Sequence, residues 1–237
     1  MDNFLKEYIE KVGITLSDEQ ADRLNRYYEM LVEKNKVMNL TAITEYRDVV
    51  IKHFADSMAV VNAFDIKNAG TLIDIGTGAG FPGIVLKIVF PDIKITLLDS
   101  LNKRINFLNE VIKELSLTDI ETIHGRAEDY AHNGLYREKY DVCVSRAVAN
   151  LSTLSEYCLP FVKIKGCFIS YKAGECEEEV ENARVAISRL GGEKPEIVKY
   201  ILPDTDIQRN FVIVKKVAKT KPVYPRKAGI PSKEPLK

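Results

Sequence analysis

The sequence predicts a doubly wound α/β fold: a largely parallel seven-stranded sheet with its last strand antiparallel, preceded by an N-terminal helical extension. Three observations lead there. From Gly70 onward, short β-rich runs alternate with helical patterns. The last two runs are separated only by PDTDIQRN, too short for a crossover helix, so they should pair as an antiparallel hairpin. A glycine-rich turn follows the first run directly.

Residues 1–65 read as helices. Phe4, Leu5, Tyr8, Ile9 and Val12 share one face, and Leu24, Tyr27, Tyr28 and Leu31 share another at helical spacing. Ser17 with Gln20 has the pattern of a capping box between them. Asn39 marks a turn, after which IKHFADSMAVVNAF is helical again. Residues 66–217 carry the strands TLIDIG, KITLLDS, DIETIHG, YDVCVSRA, GCFISYKAG, EIVKYIL and FVIVKK. Residues 218–237 form a basic tail in which Pro222, Pro225, Pro231 and Pro235 favour an extended chain.

A chain of 237 residues, 46% hydrophobic, suits one main core. No segment approaches the roughly 20 apolar residues of a membrane span, and the N-terminus resembles no targeting signal, so a soluble, cytoplasmic protein is expected. The cysteines Cys143, Cys158, Cys167 and Cys176 form no CxxC pair, which predicts reduced packing residues and no metal site. Net charge is zero, which by itself speaks against a nucleic-acid partner. Its distribution speaks for one: residues 215–237 hold eight Lys or Arg against Glu234 alone, giving +7 against −7 for the remainder.

The first strand runs into Asp74-Ile75-Gly76-Thr77-Gly78-Ala79-Gly80-Phe81-Pro82-Gly83, where small residues admit a ligand to the backbone and a helix begins, with Pro82 in its first turn. Gly78, Gly80 and Gly83 also match the dinucleotide-binding spacing, so an NAD-dependent dehydrogenase is a rival reading. Two acids shift the balance. Asp74 sits poorly for a pyrophosphate and well for a ligand carrying an ammonium and a sulfonium. Asp99, ending the second strand, is placed to accept hydrogen bonds from ribose hydroxyls. A nucleoside with an amino-acid end and no phosphates describes S-adenosylmethionine, and the strand pattern is that of the class I methyltransferase fold. Backbone groups of Ala127 and Glu128, after the third strand, would then flank the adenine.

The chain has no NPPY or DPPY run to hold an exocyclic amine, and no Pro-Cys pair to attack a pyrimidine. What remains suits a nucleophile that needs no deprotonation, such as guanine N7, for which alignment supplies most of the catalysis. Arg146 and Lys172 end the fourth and fifth strands; with Arg126 and Arg209 they are candidates to hold phosphates around the target nucleotide. His53 is expected to be structural, bonded to Asp56 or Ser57. A non-catalytic RNA-binding protein that keeps a nucleoside pocket is the second rival.

The motifs NLTAI (39–43), KHFADS (52–57), DIGTGAGFPG, LLDS with Lys103 and Arg104, GRAED, SRA (145–147) and the tail YPRKAGIPSKEPL, in this order, closely resemble the RsmG/GidB 16S rRNA guanine-N7 methyltransferases. The resemblance implies S-adenosylmethionine as cofactor, S-adenosylhomocysteine as product, and a guanine in the decoding region of 16S rRNA as acceptor, within the small ribosomal subunit or an assembly intermediate. It maps the cofactor site onto Asp74, Gly76, Gly78, Gly80, Phe81, Asp99, Ala127, Glu128 and Arg146, and the acceptor side onto Arg126, Arg146, Lys172 and Arg209. Asn210 departs from the pattern, standing where many relatives have histidine.

Overall fold

A computed structural model of the chain describes residues 3–147 and 149–237. The N-terminal helices are α1 (Phe4–Lys11), α2 (Asp18–Met38), α3 (Tyr46–Val49) and α4 (Asp56–Met58), the last two joined by a π-helical turn, Val50–Ala55. The capping box opens α2: Ser17 Oγ accepts from the Gln20 amide at 3.2 Å, and Gln20 Oε1 accepts from the Ser17 amide at 3.0 Å. Asn39 closes α2 in the left-handed region, φ 49°, which its short amide side chain tolerates.

The strands β1 (Thr71–Ile75), β2 (Lys94–Asp99), β3 (Ile120–His124), β4 (Tyr140–Ser145), β5 (Val162–Ala173), β6 (Glu196–Ile201) and β7 (Gln208–Lys215) form one sheet in the order β3-β2-β1-β4-β5-β7-β6. β1 to β5 are parallel, and β7 runs antiparallel between β5 and β6, as the short final loop requires. Chain direction reverses its progress across the sheet between β1 and β4, so a crevice opens at their carboxyl ends.

Alternation along β1 divides the core: Leu72 points to one face and Ile73 to the other. On the Leu72 face lie α1 to α4 with α5 (Gly83–Val89) and α6 (Asn102–Glu114), so Leu24, Tyr27, Leu31 and Phe54 share a core with Leu97, Val142 and Ile169. On the Ile73 face lie α7 (Ala127–Tyr130), α8 (Leu151–Cys158) and α9 (Glu177–Arg189). All four cysteines are free and buried, and burial pushes the Cys167 thiol up to about 12.

The tail departs from expectation. It is folded back over α7 and α8, with a short helix α10 (Ile230–Lys233) near its end. Arg226 grips Glu156, which has no exposed side-chain surface, through Nε at 2.9 Å and Nη2 at 2.7 Å, and its own amide donates to the same carboxylate at 2.8 Å. Carbonyls of Thr220 and Tyr224 each accept from the Arg137 guanidinium at 2.9 Å, and that of Pro231 accepts from Thr153 Oγ1 at 2.9 Å. A buried carboxylate demands a partner, and the tail carries it.

Candidate active site

The glycine loop is held from three sides. Amides of Gly76 and Thr77 donate to the Leu98 carbonyl at 2.9 and 3.2 Å, the Gly78 amide donates to Asp99 Oδ2 at 2.9 Å, and the Tyr27 hydroxyl donates to the Ala79 carbonyl at 2.5 Å. Gly80 is obligatory here: its φ is 105°, and an added Cβ would stand 2.7 Å from that same hydroxyl. Pro82, expected inside the first helical turn, instead precedes α5 as its cap residue.

Asp74 lies beneath this loop, fully buried. Its Oδ2 accepts from Thr77 Oγ1 at 2.7 Å and from the Gly83 amide at 2.9 Å, while Oδ1 has no partner among the described residues. Burial pushes its carboxyl up to about 6 against those two hydrogen bonds.

Above the loop a cavity of about 640 Å³ is lined by Gly76, Thr77, Gly78, Phe81, Asp99, Arg126, Ala127, Glu128 and Arg146, with Leu98, Leu154 and Tyr157 as apolar wall. Asp99 Oδ1 accepts from the Leu101 amide at 2.9 Å, and Oδ2 accepts from the Gly78 amide and from Arg104 Nη1 at 3.2 Å. Glu128 Oε1 accepts from the Gly229 amide at 3.0 Å, so the tail reaches the wall of this cavity.

A second cavity of about 730 Å³ adjoins the first, with His53, Arg146, Ala147 and Ala149 common to both. Its wall includes Lys52, Asp56, Lys172, Glu179 and Arg209. Asp56 is the hub: buried, it takes Arg146 Nη1 on one oxygen at 2.8 Å and Arg209 Nε on the other at 2.5 Å. Lys172 Nζ donates to Glu179 Oε1 at 2.8 Å and to the Ala149 carbonyl at 2.9 Å. Arg146 also stands 5.0 Å above the Phe81 ring, a cation–π contact.

The structure thus brings Gly76, Gly78, Phe81, Asp99, Arg126, Ala127, Glu128 and Arg146 to one cavity, and Arg146, Lys172 and Arg209 to its neighbour. Asp74 and Gly80 stand behind the loop and shape it. His53 does not bond through its ring to Asp56 or Ser57. The ring stacks on Phe81 at 4.5 Å, contacts Thr41 Oγ1 at 2.8 Å and the Lys52 carbonyl at 3.1 Å, and has Arg146 Nη2 3.4 Å away. Burial, then the Arg146 charge, pushes it down to about 4, so it is neutral at pH 7. Asn210 donates to the Gly174 carbonyl, tying β7 to the loop after β5. Sequence reasoning missed the hub role of Asp56 and the presence of Glu179, because both depend on partners that only the fold brings near.

The family model for rRNA small subunit methyltransferase G matches residues 20–211. The chain belongs to the rRNA small subunit methyltransferase G family. Members from Acetivibrio thermocellus and Lachnoclostridium phytofermentans are 53% and 51% identical over 224 and 228 residues, covering 94% and 96% of this chain and 92% and 94% of theirs. Both are named ribosomal RNA small subunit methyltransferase G. Among solved structures, one described as an S-adenosyl-L-methionine-dependent methyltransferase from Methanococcus maripaludis superposes with TM-score 0.55 at 22% identity, covering 81% of this chain and 93% of that one. A methyltransferase from Pyrococcus furiosus gives 0.54 at 14%, covering 84% and 100%. These two share the fold. Membership of the methyltransferase G family removes the dehydrogenase reading of the glycine spacing.

Proposed function

We propose that this enzyme transfers the methyl group of S-adenosylmethionine to N7 of a guanine in the decoding region of 16S rRNA, within the small ribosomal subunit or an assembly intermediate. The observation that carries the reading is the pair of adjoining cavities, one walled by the glycine loop and Asp99 and one rimmed by cations, meeting at Arg146.

The residues of the first cavity fit the cofactor. Asp99 has roughly four lone-pair directions of which three are taken, so one is open and a second opens when the half-exposed Arg104 swings aside; that suits two ribose hydroxyls. Ala127 and Glu128 flank the adenine. Asp74 lines neither cavity; buried behind the loop, its carboxylate acts on a cationic ligand as a charge and through the loop that it shapes. When bound, the cofactor supplies an electrophilic methyl group.

The protein's own part is alignment. Guanine N7 carries its lone pair at neutral pH, so no base has to remove a proton first, and a histidine held near 4 would be a weak one. Asp56 fixes Arg146 and Arg209 in place and offsets their charge next to a product base that becomes cationic. Arg126 lines the first cavity and not the second; exposed and without an ion pair among the described residues, it is free to meet an RNA phosphate at that cavity's mouth.

The test is incubation of small-subunit particles lacking the modification with labelled cofactor, followed by mapping of the labelled nucleotide. Label at a guanine N7 is expected. Label on another atom, or binding without transfer, would overturn the reading, the latter in favour of an RNA-binding module.

A further inference from the structure

Guanine and adenine both carry a nucleophilic N7, so alignment of that atom alone does not choose between them. They differ at the far edge of the six-membered ring. Guanine presents two adjacent donors there, N1–H and N2–H, whereas adenine presents a bare N1 acceptor. A base seated with N7 towards the first cavity puts this edge into the second.

We infer that Glu179 reads that edge and selects guanine. The second cavity has two carboxylates among its described lining residues, Asp56 and Glu179. Asp56 is committed, each oxygen bound to a guanidinium and its side chain only 3% exposed. Glu179 is different. Its Oε1 receives both Lys172 Nζ at 2.8 Å and the Leu151 amide at 2.6 Å, which fixes the carboxylate against the cavity wall. Its Oε2 has no hydrogen-bond partner among the described residues, and its side chain is 28% exposed, against 3% for Asp56. The open Oε2 has two lone pairs, so it is suited to accept from both adjacent guanine donors, and its charge repels the acceptor edge of adenine. Arg146, shared by both cavities, stands on the side where O6 would lie next to N7.

This rests on the proposed N7 transfer, and the experiment separates the two. Small-subunit particles are reconstituted with 16S rRNA carrying either guanosine or inosine at the mapped target. Inosine keeps N7, O6 and N1–H and lacks only the 2-amino group. The unaltered enzyme should prefer guanosine by roughly ten- to a hundredfold in kcat/KM, the usual worth of one hydrogen bond to a charged group. In Glu179→Gln and Glu179→Ala the ratio should shrink to within about threefold, since the open carboxylate oxygen is gone. If Glu179 served only to hold Lys172 and the start of α8, both variants would lose rate on the two particles equally and the ratio would stay as in the unaltered enzyme; that result overturns the assignment. A ratio near one for the unaltered enzyme overturns it too. Absence of transfer to the guanosine particle would instead sink the methyltransfer reading, and the assignment with it.

Discussion

Three side chains carry consequences that single substitutions expose. Asp99 is expected to contribute charge-assisted hydrogen bonds to the ribose, so Asp99→Ala should weaken S-adenosylhomocysteine binding by roughly ten- to a hundredfold in calorimetry. An unchanged affinity would remove Asp99 from the ribose. His53 titrates near 4 in the folded protein against its ordinary value of 6.5, so the unfolded chain binds the extra proton between those values. Its contribution to stability is complete above pH 6.5 and is lost as pH falls towards 4, reaching about 3 kcal/mol. Asp74 works in the opposite sense. Its folded value of about 6 exceeds the ordinary 3.8, so its contribution is complete below 3.8 and is lost as pH rises through 6. The two offset each other between pH 4 and 6, and the unaltered protein should show a shallow profile there. In His53→Gln the Asp74 limb should dominate once Asp18, Asp141 and Glu177, all lowered by their cationic partners, are ionised in both states: urea titrations from about pH 5 to 6.5 should give stability that falls with pH. A rise with pH in that variant would contradict the assignment.

Within elements, composition and connectivity proved to be different kinds of information. The strands and the final hairpin were legible because β-branched runs and a short loop are local properties. The capping box was legible because Ser17 and Gln20 satisfy each other within four residues. The tail was not. Its proline and lysine content describes an extended basic arm, but Arg226 belongs to Glu156, 70 residues earlier, and no spacing rule connects them. The partners of His53 were hidden too, since Thr41 lies 12 residues before it and Arg146 lies 93 residues after it, both outside the helices and strands. Arg226→Ala leaves a buried carboxylate without its partner, and should cost about 3 kcal/mol in urea unfolding. Glu156→Gln in the same chain should recover part of that loss, because the neutral amide no longer needs a counter-charge. If the single substitution is neutral, the tail is not anchored by this pair. Removal of residues 218–237 should therefore act first on stability, lowering the melting temperature of the protein without RNA.

For the whole molecule, the basic tail is only partly turned inward: Lys216 is buried and Arg226 is paired, while Lys215, Lys219, Lys221, Lys227, Lys233 and Lys237 stay exposed. Arg226 is turned inward to Glu156, Arg146 and Arg209 share Asp56, and Lys172 is bound to Glu179. Arg126 remains at the rim, so Arg126→Ala should lower the salt dependence of binding to small-subunit particles by about one unit of slope, by releasing one fewer counterion. Arg226→Ala should leave that slope unchanged wherever the protein stays folded. Equal slopes for Arg126→Ala and the unaltered enzyme would mean that this guanidinium faces no phosphate. The described helices include none long and apolar enough to cross a membrane.

The hydroxyl of Tyr27 and the carbonyl of Ala79 join two stretches that the sequence lets one draw as separate regions. With Tyr27 buried beside Phe54 and Phe81, a cut near residue 65 would divide a single core. A shortened catalytic piece starting at β1 would keep every residue of the glycine motif and lose the brace that gives it shape. On the proposed cofactor site, the helical extension braces the loop that would hold the ligand, so substitutions at Tyr27 are expected to register as cofactor defects.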